Sequence, residues 1–259
     1  MEVKRNLENI DIIILKAPLD RNVEEIVTSL VVALSQQNKT LPFLERVIKI
    51  LPELDGQIDS KLSQEELYNI VDNVLEKRFL YERELMNEML YKKRMLIEKE
   101  IIPAASEMLE LFNVSNLKSC QVKCYLGFFN PFPRKVLKKE YCIHYLSSND
   151  IFVRASLHEI NHMILFEKWK SMFGYEEENE PEFPDPLWYL EELSIEPTLN
   201  EPRIQQLAPY IHKAYNSFYE IIIDGKSLPE QVMDIYKKSS SIEEYLVKAF
   251  KYIEEHITI

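Results

Sequence analysis

The sequence predicts an α+β protein, predominantly α-helical, with one small antiparallel sheet. Three observations carry that expectation. Of 259 residues only 4 are glycine, while Leu, Glu, Ile and Lys abound, so tight turns are few and good helix formers many. Hydrophobic residues at 46% and charged residues at 29% are ordinary for a globular chain long enough to bury its own core. Aromatic and β-branched residues, by contrast, crowd into two short segments, 121–129 and 140–146.

Taken in order, residues 1–115 read as a helical N-terminal portion. Leu41-Pro42 marks one break, and Leu51-Pro52 followed by Asp55-Gly56 marks another. Ser63-Gln64-Glu65-Glu66 fits a capping box and should open a long helix that runs to Ile102 and stops before Pro103. Met86, Met89, Leu90 and Leu96 form an apolar stripe on it, suited to core packing. The second portion, residues 116–259, begins with the strand segments Gln121–Phe129 and Glu140–Leu146. They are expected to pair antiparallel across the loop Asn130-Pro131-Phe132-Pro133-Arg134. Helix returns at Asn149 or Asp150 and ends near Gly174. An acidic segment with prolines follows, then a short helix from Asp185-Pro186 and two or three more.

Charge and composition exclude several functions. Lys and Arg number 31 against 43 Asp and Glu, a net charge of −12, and no basic patch stands out. Such a chain repels phosphate backbones and anionic lipid, so no nucleic acid and no membrane partner is expected. The apolar run Ile10 to Leu15 is broken by Asp11 and is too weak for a signal peptide. No stretch reaches the ~18 apolar residues of a membrane span. A cytoplasmic location follows as the expectation, and Cys120, Cys124 and Cys142 read as reduced thiols. Cys120 and Cys124, on one face of an expected strand, look like a structural pair. Four scattered glycines cannot build a phosphate loop or a dinucleotide fingerprint.

The chemistry is concentrated in His158-Glu159-Ile160-Asn161-His162. Residues i and i+4 of a helix share a face with Cβ atoms ~5–6 Å apart, so both imidazoles can converge on one metal ion. Glu159 sits about 100° round the helix from His158, beside the metal, where it can take a proton from water. From Ala155 to Leu165 it is the only charged side chain. A carboxylate in so apolar a stretch is costly unless something compensates it.

This motif resembles the catalytic helix of the zincin metallopeptidases. The metzincin extension needs a glycine at position 165 and a histidine at position 168, where Leu165 and Lys168 stand. The gluzincin branch remains, in which a Glu on a later helix supplies the third ligand. Residues 187–200 look like that helix. Glu191 and Glu192 compete for the role. Glu192 shares its stripe with the apolar Trp188, Ile195 and Leu199, and Glu191 with Leu187, Ser194 and Thr198, which favours Glu192. Glu196, before Pro197, is expected near the helix end, behind the ligands or exposed.

The resemblance covers the five-residue motif and the later helix. It implies a zincin-like catalytic portion within residues 116–259 and a Zn2+ ion held by His158, His162 and Glu192. It also implies hydrolysis of a peptide or protein substrate with Glu159 as general base. The alternative is a zincin-like module that binds metal or protein without catalysis. An oxyanion donor is sought among Tyr210, His212 and Tyr215, expected on a helix after the ligand segment. Ten acidic residues against Arg203 alone between 175 and 203 make either a solvated loop or a negative rim that would attract cationic peptides.

Overall fold

The computed structural model describes residues 10–35, 41–115, 117, 121–129, 135–174 and 180–257. In chain order these form β1 (Asp11–Lys16), α1 (Leu19–Ser35), α2 (Leu41–Ile50), α3 (Gln64–Tyr81), α4 (Arg83–Leu96) and α5 (Ile102–Phe112). β2 (Gln121–Gly127), β3 (Glu140–His144), α6 (Asn149–Phe173) and α7 (Pro186–Leu199) follow. The chain closes with two one-turn helices, α8 (Pro202–Gln205) and α9 (Asn216–Tyr219), a small antiparallel pair, β4 (Ile222–Ile223) and β5 (Lys226–Ser227), and α10 (Leu228–Lys238) and α11 (Ile242–His256). The architecture is mostly helical with a small sheet, as the composition indicated.

Two expectations about the sheet are corrected. The first portion is not helical throughout, because Asp11–Lys16 is a strand pairing with β2 in the second portion. Its Ile12 and Ile14 are buried while Asp11 and Leu15 are exposed, the alternation of a strand with one face on the core. The main sheet is also parallel, in the order β1-β2-β3. After β2 the chain makes one more reversal than a hairpin would. Lys135 and Glu140 exchange backbone bonds of 2.8 and 3.1 Å across a turn, and Lys139 closes it at φ +55°. β3 therefore leaves running in the direction of β2. The loop 130–134 lies outside the described residues.

Register pairs place Ile12, Ile14, Val122, Cys124, Leu126, Tyr141 and Ile143 on one sheet face, all buried in the main core. The other face is closed by the start of α1. Arg21 donates to Glu25 (2.8 Å) and Glu140 (3.0 Å) and lies 3.8 Å from the Tyr125 ring centroid. Lys123 donates to the same Glu140 at 3.1 Å. Asn22 pins this corner: its amide donates to the Ala17 and Pro18 carbonyls, and its Oδ1 accepts from the Phe128 N–H at 2.8 Å. Only a glycine fits at 127, since a Cβ there would stand 2.6 Å from Asn22 Oδ1.

Ser63 caps α3 with the full reciprocal box, as its spacing to Glu66 required. The helix from Ser63 does not run unbroken to Ile102, nor does it stop before Pro103. It breaks at Glu82, and between α4 and α5 residues Ile97–Ile101 widen into a π-turn. There the Ile102 N–H reaches the Ile97 carbonyl, a five-residue step that shifts the ladder just ahead of the donor Pro103 lacks. Met86 is fully buried, and Met89, Leu90 and Leu96 pack partly buried against the core. Among the described residues no helix is long and apolar enough to cross a membrane.

Two short contacts seat α6. Ser148 is its N-cap, one residue before the expected pair, and Gly174 ends it in the left-handed conformation. The buried Lys93 of α4 reaches its start, donating to the Ser147 carbonyl (2.6 Å) and Asn149 Oδ1 (3.1 Å). α7 begins at Asp185, whose side chain accepts from the Leu187 N–H at 2.7 Å. α6 packs on α5 and α7, and α7 also on α10 and α11. Both helices are therefore buried on most of their circumference.

Candidate metal centre

The centre is built where α6 crosses α7. His158 and His162, one turn apart on α6, lie with ring centroids 4.6 Å apart and planes at 82°. Glu192 of α7 faces both: its two carboxylate oxygens stand 3.4 Å from His158 Nε2 and 3.5 Å from His162 Nε2. One donor atom from each of the three lies within 4.8 Å of the others. His162 and Glu192 are buried, and His158 is half-buried toward the cavity. Glu159 is buried at 4% exposure and lines the same cavity.

This donor set fits zinc. Two imidazole nitrogens and one carboxylate oxygen make the three-ligand arrangement that leaves a position open. Ligand atoms about 2.0–2.1 Å from a shared tetrahedral ion stand roughly 3.4 Å apart, and each imidazole Nε2 has one Glu192 oxygen near that spacing, Oε2 for His158 and Oε1 for His162. Glu191 does not join the set. It is fully buried on the neighbouring stripe of α7 with Ser194 and Thr198. Stripe polarity pointed to Glu192, and the crossing of α6 over α7 sets Glu192, not Glu191, against the two histidines.

That crossing is held by buried polar contacts. Asn161 Nδ2, beside His162, donates to Thr198 Oγ1 at 2.8 Å, and Thr198 Oγ1 donates to the Ser194 carbonyl at 2.6 Å. Ser194 Oγ and Tyr245 OH of α11 lie 2.8 Å apart. Asn200, which ends α7, grips the backbone of His212: its amide donates to the His212 carbonyl (2.8 Å), and its Oδ1 accepts from the His212 N–H (3.0 Å). Glu196 is part of this scaffold, accepting from the Tyr219 hydroxyl and from the Ala214 N–H at 3.4 Å. One helix thus presents Glu192 and positions the segment after it.

Tyr210, His212 and Tyr215 are not helical; they lie in the irregular stretch between α8 and α9. His212 and Tyr215 line the cavity, and Tyr210 does not. Tyr210 instead donates to Glu100 at 3.0 Å. His212 is 4% exposed, and its Nε2 has no hydrogen-bond partner among the described residues. Burial first, then the charges of His158 and Arg154, pushes its pKa from 6.5 down to about 3, so it stays a neutral imidazole at physiological pH.

The cavity measures about 920 Å³, room for several peptide residues. Phe183, Trp188 and Tyr215 supply an aromatic wall, with Phe183–Trp188 centroids 5.4 Å apart and Trp188 stacked on Tyr215 at 6.1 Å and 16°. Sequence reasoning missed Arg46, Arg154 and Lys213, which also line it. Arg154 was findable, being one turn before His158 on the same face. Of the acidic stretch, Glu176–Glu178 fall outside the described residues, and Glu180 and Glu182 line the cavity. Cys124 and Cys142 are buried free thiols, Cys124 pushed up by burial to about 12; Cys120 lies outside the described residues. No protein-family model, no curated protein and no solved structure matches this chain.

Proposed function

We propose that this protein is a zinc-dependent metallopeptidase of zincin type, with His158, His162 and Glu192 as metal ligands and Glu159 as general base. The observation that carries the reading is the convergence of two histidines from α6 and one carboxylate from α7 on a common point, with a further buried carboxylate beside them in a peptide-sized cavity. When bound, zinc supplies the Lewis acidity that activates water and polarises a carbonyl near neutral pH.

The remaining work falls to the chain's own groups. Glu159 accepts the proton of the attacking water and delivers it to the leaving amine. His212, neutral and held by Asn200, donates from Nε2 to the carbonyl oxygen as negative charge develops there. The aromatic wall of Phe183, Trp188 and Tyr215 takes an apolar side chain of the substrate and keeps water from it. Burial of Glu192 between both imidazoles fixes its orientation, since α6 and α7 cannot slide without breaking the Asn161–Thr198 bond.

The test is cleavage of a quenched peptide library by zinc-loaded protein and by Glu159→Gln. We expect turnover from the first, a loss of at least about a hundredfold in the second, and equal zinc content in both. A zinc-loaded protein that cleaves no peptide would leave the non-catalytic metal-binding module in its place.

A further inference from the structure

The protein carries a net charge of −12, yet three cations line the cavity of the metal centre. Arg154 lies one turn before His158 on α6, so residues 154, 158 and 162 form one row along the cavity. Its ion pair is with Asp150, at 3.7 Å and between side chains 45% and 53% exposed. A pair that long and that wet contributes little and exchanges readily for a better carboxylate. Lys213 follows His212 in the segment gripped by Asn200; it is exposed and forms no ion pair among the described residues. Arg46 adds a third cation from α2.

The acidic groups of the cavity are mostly committed. Glu159 and Glu192 belong to the centre itself. Glu180 Oε1 accepts from the Leu137 N–H at 3.1 Å, a bond that fixes the side chain and leaves its charge in place, and Glu182 is exposed. Two cations from different elements therefore line the same cavity as the ligand row, and Arg154 can fork onto both oxygens of a carboxylate.

Building on the peptidase reading, we infer that Arg154 and Lys213 form a carboxylate subsite beside the metal centre, and that the favoured substrate is a peptide presenting a carboxylate there. That group is either the C-terminus of a short peptide or an Asp or Glu side chain next to the scissile bond. The two sources share the chemistry and are separable by experiment.

Three N-acetylated pentapeptides of one neutral, otherwise identical sequence serve as probes: one with a free C-terminus, one amidated, and one amidated with a single internal Glu. Each is titrated calorimetrically into Glu159→Gln protein, with and without zinc, so that binding is read without turnover. One charged peptide should bind about tenfold tighter than the neutral amide, more so at low salt. Arg154→Gln with Lys213→Gln, in the same background, should shrink that preference to less than about twofold. Preference for the free C-terminus assigns the subsite to the chain end, and preference for the internal Glu assigns it to a side chain. Equal affinities, binding by none of the three, or a preference that survives the double substitution overturns the subsite. Cleavage by wild-type protein without any preference sinks the subsite alone, whereas preference without cleavage leaves it standing and sinks the peptidase.

Discussion

Replacing Thr198 by valine removes one hydroxyl from the crossing of α6 and α7 while keeping the shape of the side chain. The hydroxyl accepts from Asn161 Nδ2 at 2.8 Å and donates to the Ser194 carbonyl at 2.6 Å, and both Asn161 and Thr198 are fully buried. The amide hydrogen left without an acceptor costs ~1–3 kcal/mol. The added methyl returns up to about 0.8 kcal/mol, so a net loss of about 1 kcal/mol is expected. Asn161 Oδ1 has no hydrogen-bond partner among the described residues. Asn161→Leu with Thr198→Val therefore removes the whole polar pair and should be less destabilised than the sum of the singles by roughly 1 kcal/mol. Urea unfolding of the four proteins closes the cycle. Because Asn161 adjoins His162, zinc affinity in Thr198→Val should also fall, on the order of tenfold or more. A Thr198→Val protein within about 0.5 kcal/mol of wild type, or single effects that simply add, would refute the claim that this bond sets the helix crossing.

Gly127→Ala should destabilise by roughly 1–3 kcal/mol, because its Cβ would stand 2.6 Å from Asn22 Oδ1 and 3.0 Å from Cys142 Sγ; an unchanged denaturation midpoint would show the corner to be loose. Acid should weaken the fold through His144. Burial, then Arg78 and Arg46, lowers its pKa from 6.5 to about 4, so the folded state holds it neutral where the unfolded chain is protonated. The stability at stake is intact above about pH 6.5 and lost as pH falls toward 4, at most about 3 kcal/mol. His144→Gln should flatten that limb of the stability profile, and an unchanged slope between about pH 6.5 and 4.5 would reject the assignment.

What the sequence disclosed were features whose cause is local. The Ser63–Glu66 box, the Asp185 cap before Pro186 and the Gly174 stop each follow from groups within a few residues. So does the shared face of His158 and His162, because 3.6 residues per turn brings i and i+4 together. The features that escaped depend on distant pairing. Ile12 and Ile14 alternate correctly, but six residues give little periodicity, and only the partner β2 makes them a strand. β3 runs parallel because of one extra turn closed by Lys139, a conformation its neighbours do not advertise. Pro103 is tolerated because a π-turn precedes it. At the centre, Glu191 and Glu192 are both buried; the stripe pattern pointed to Glu192, but its distance to the histidines depends on the crossing of the helices. Arg154 was legible from spacing and His212 was among the candidates by position, whereas Lys213 reaches the cavity on the segment that Asn200 holds, a contact no local pattern encodes.

Metal content decides the central claim most directly. Untagged protein purified without chelators and measured by mass spectrometry should hold one zinc per chain. The ion should be lost in His162→Ala and in the gentler Glu192→Gln, and retained in Glu191→Gln. A wild-type protein without zinc, which micromolar zinc neither binds nor stabilises, would contradict the metal centre and the hydrolysis proposed from it.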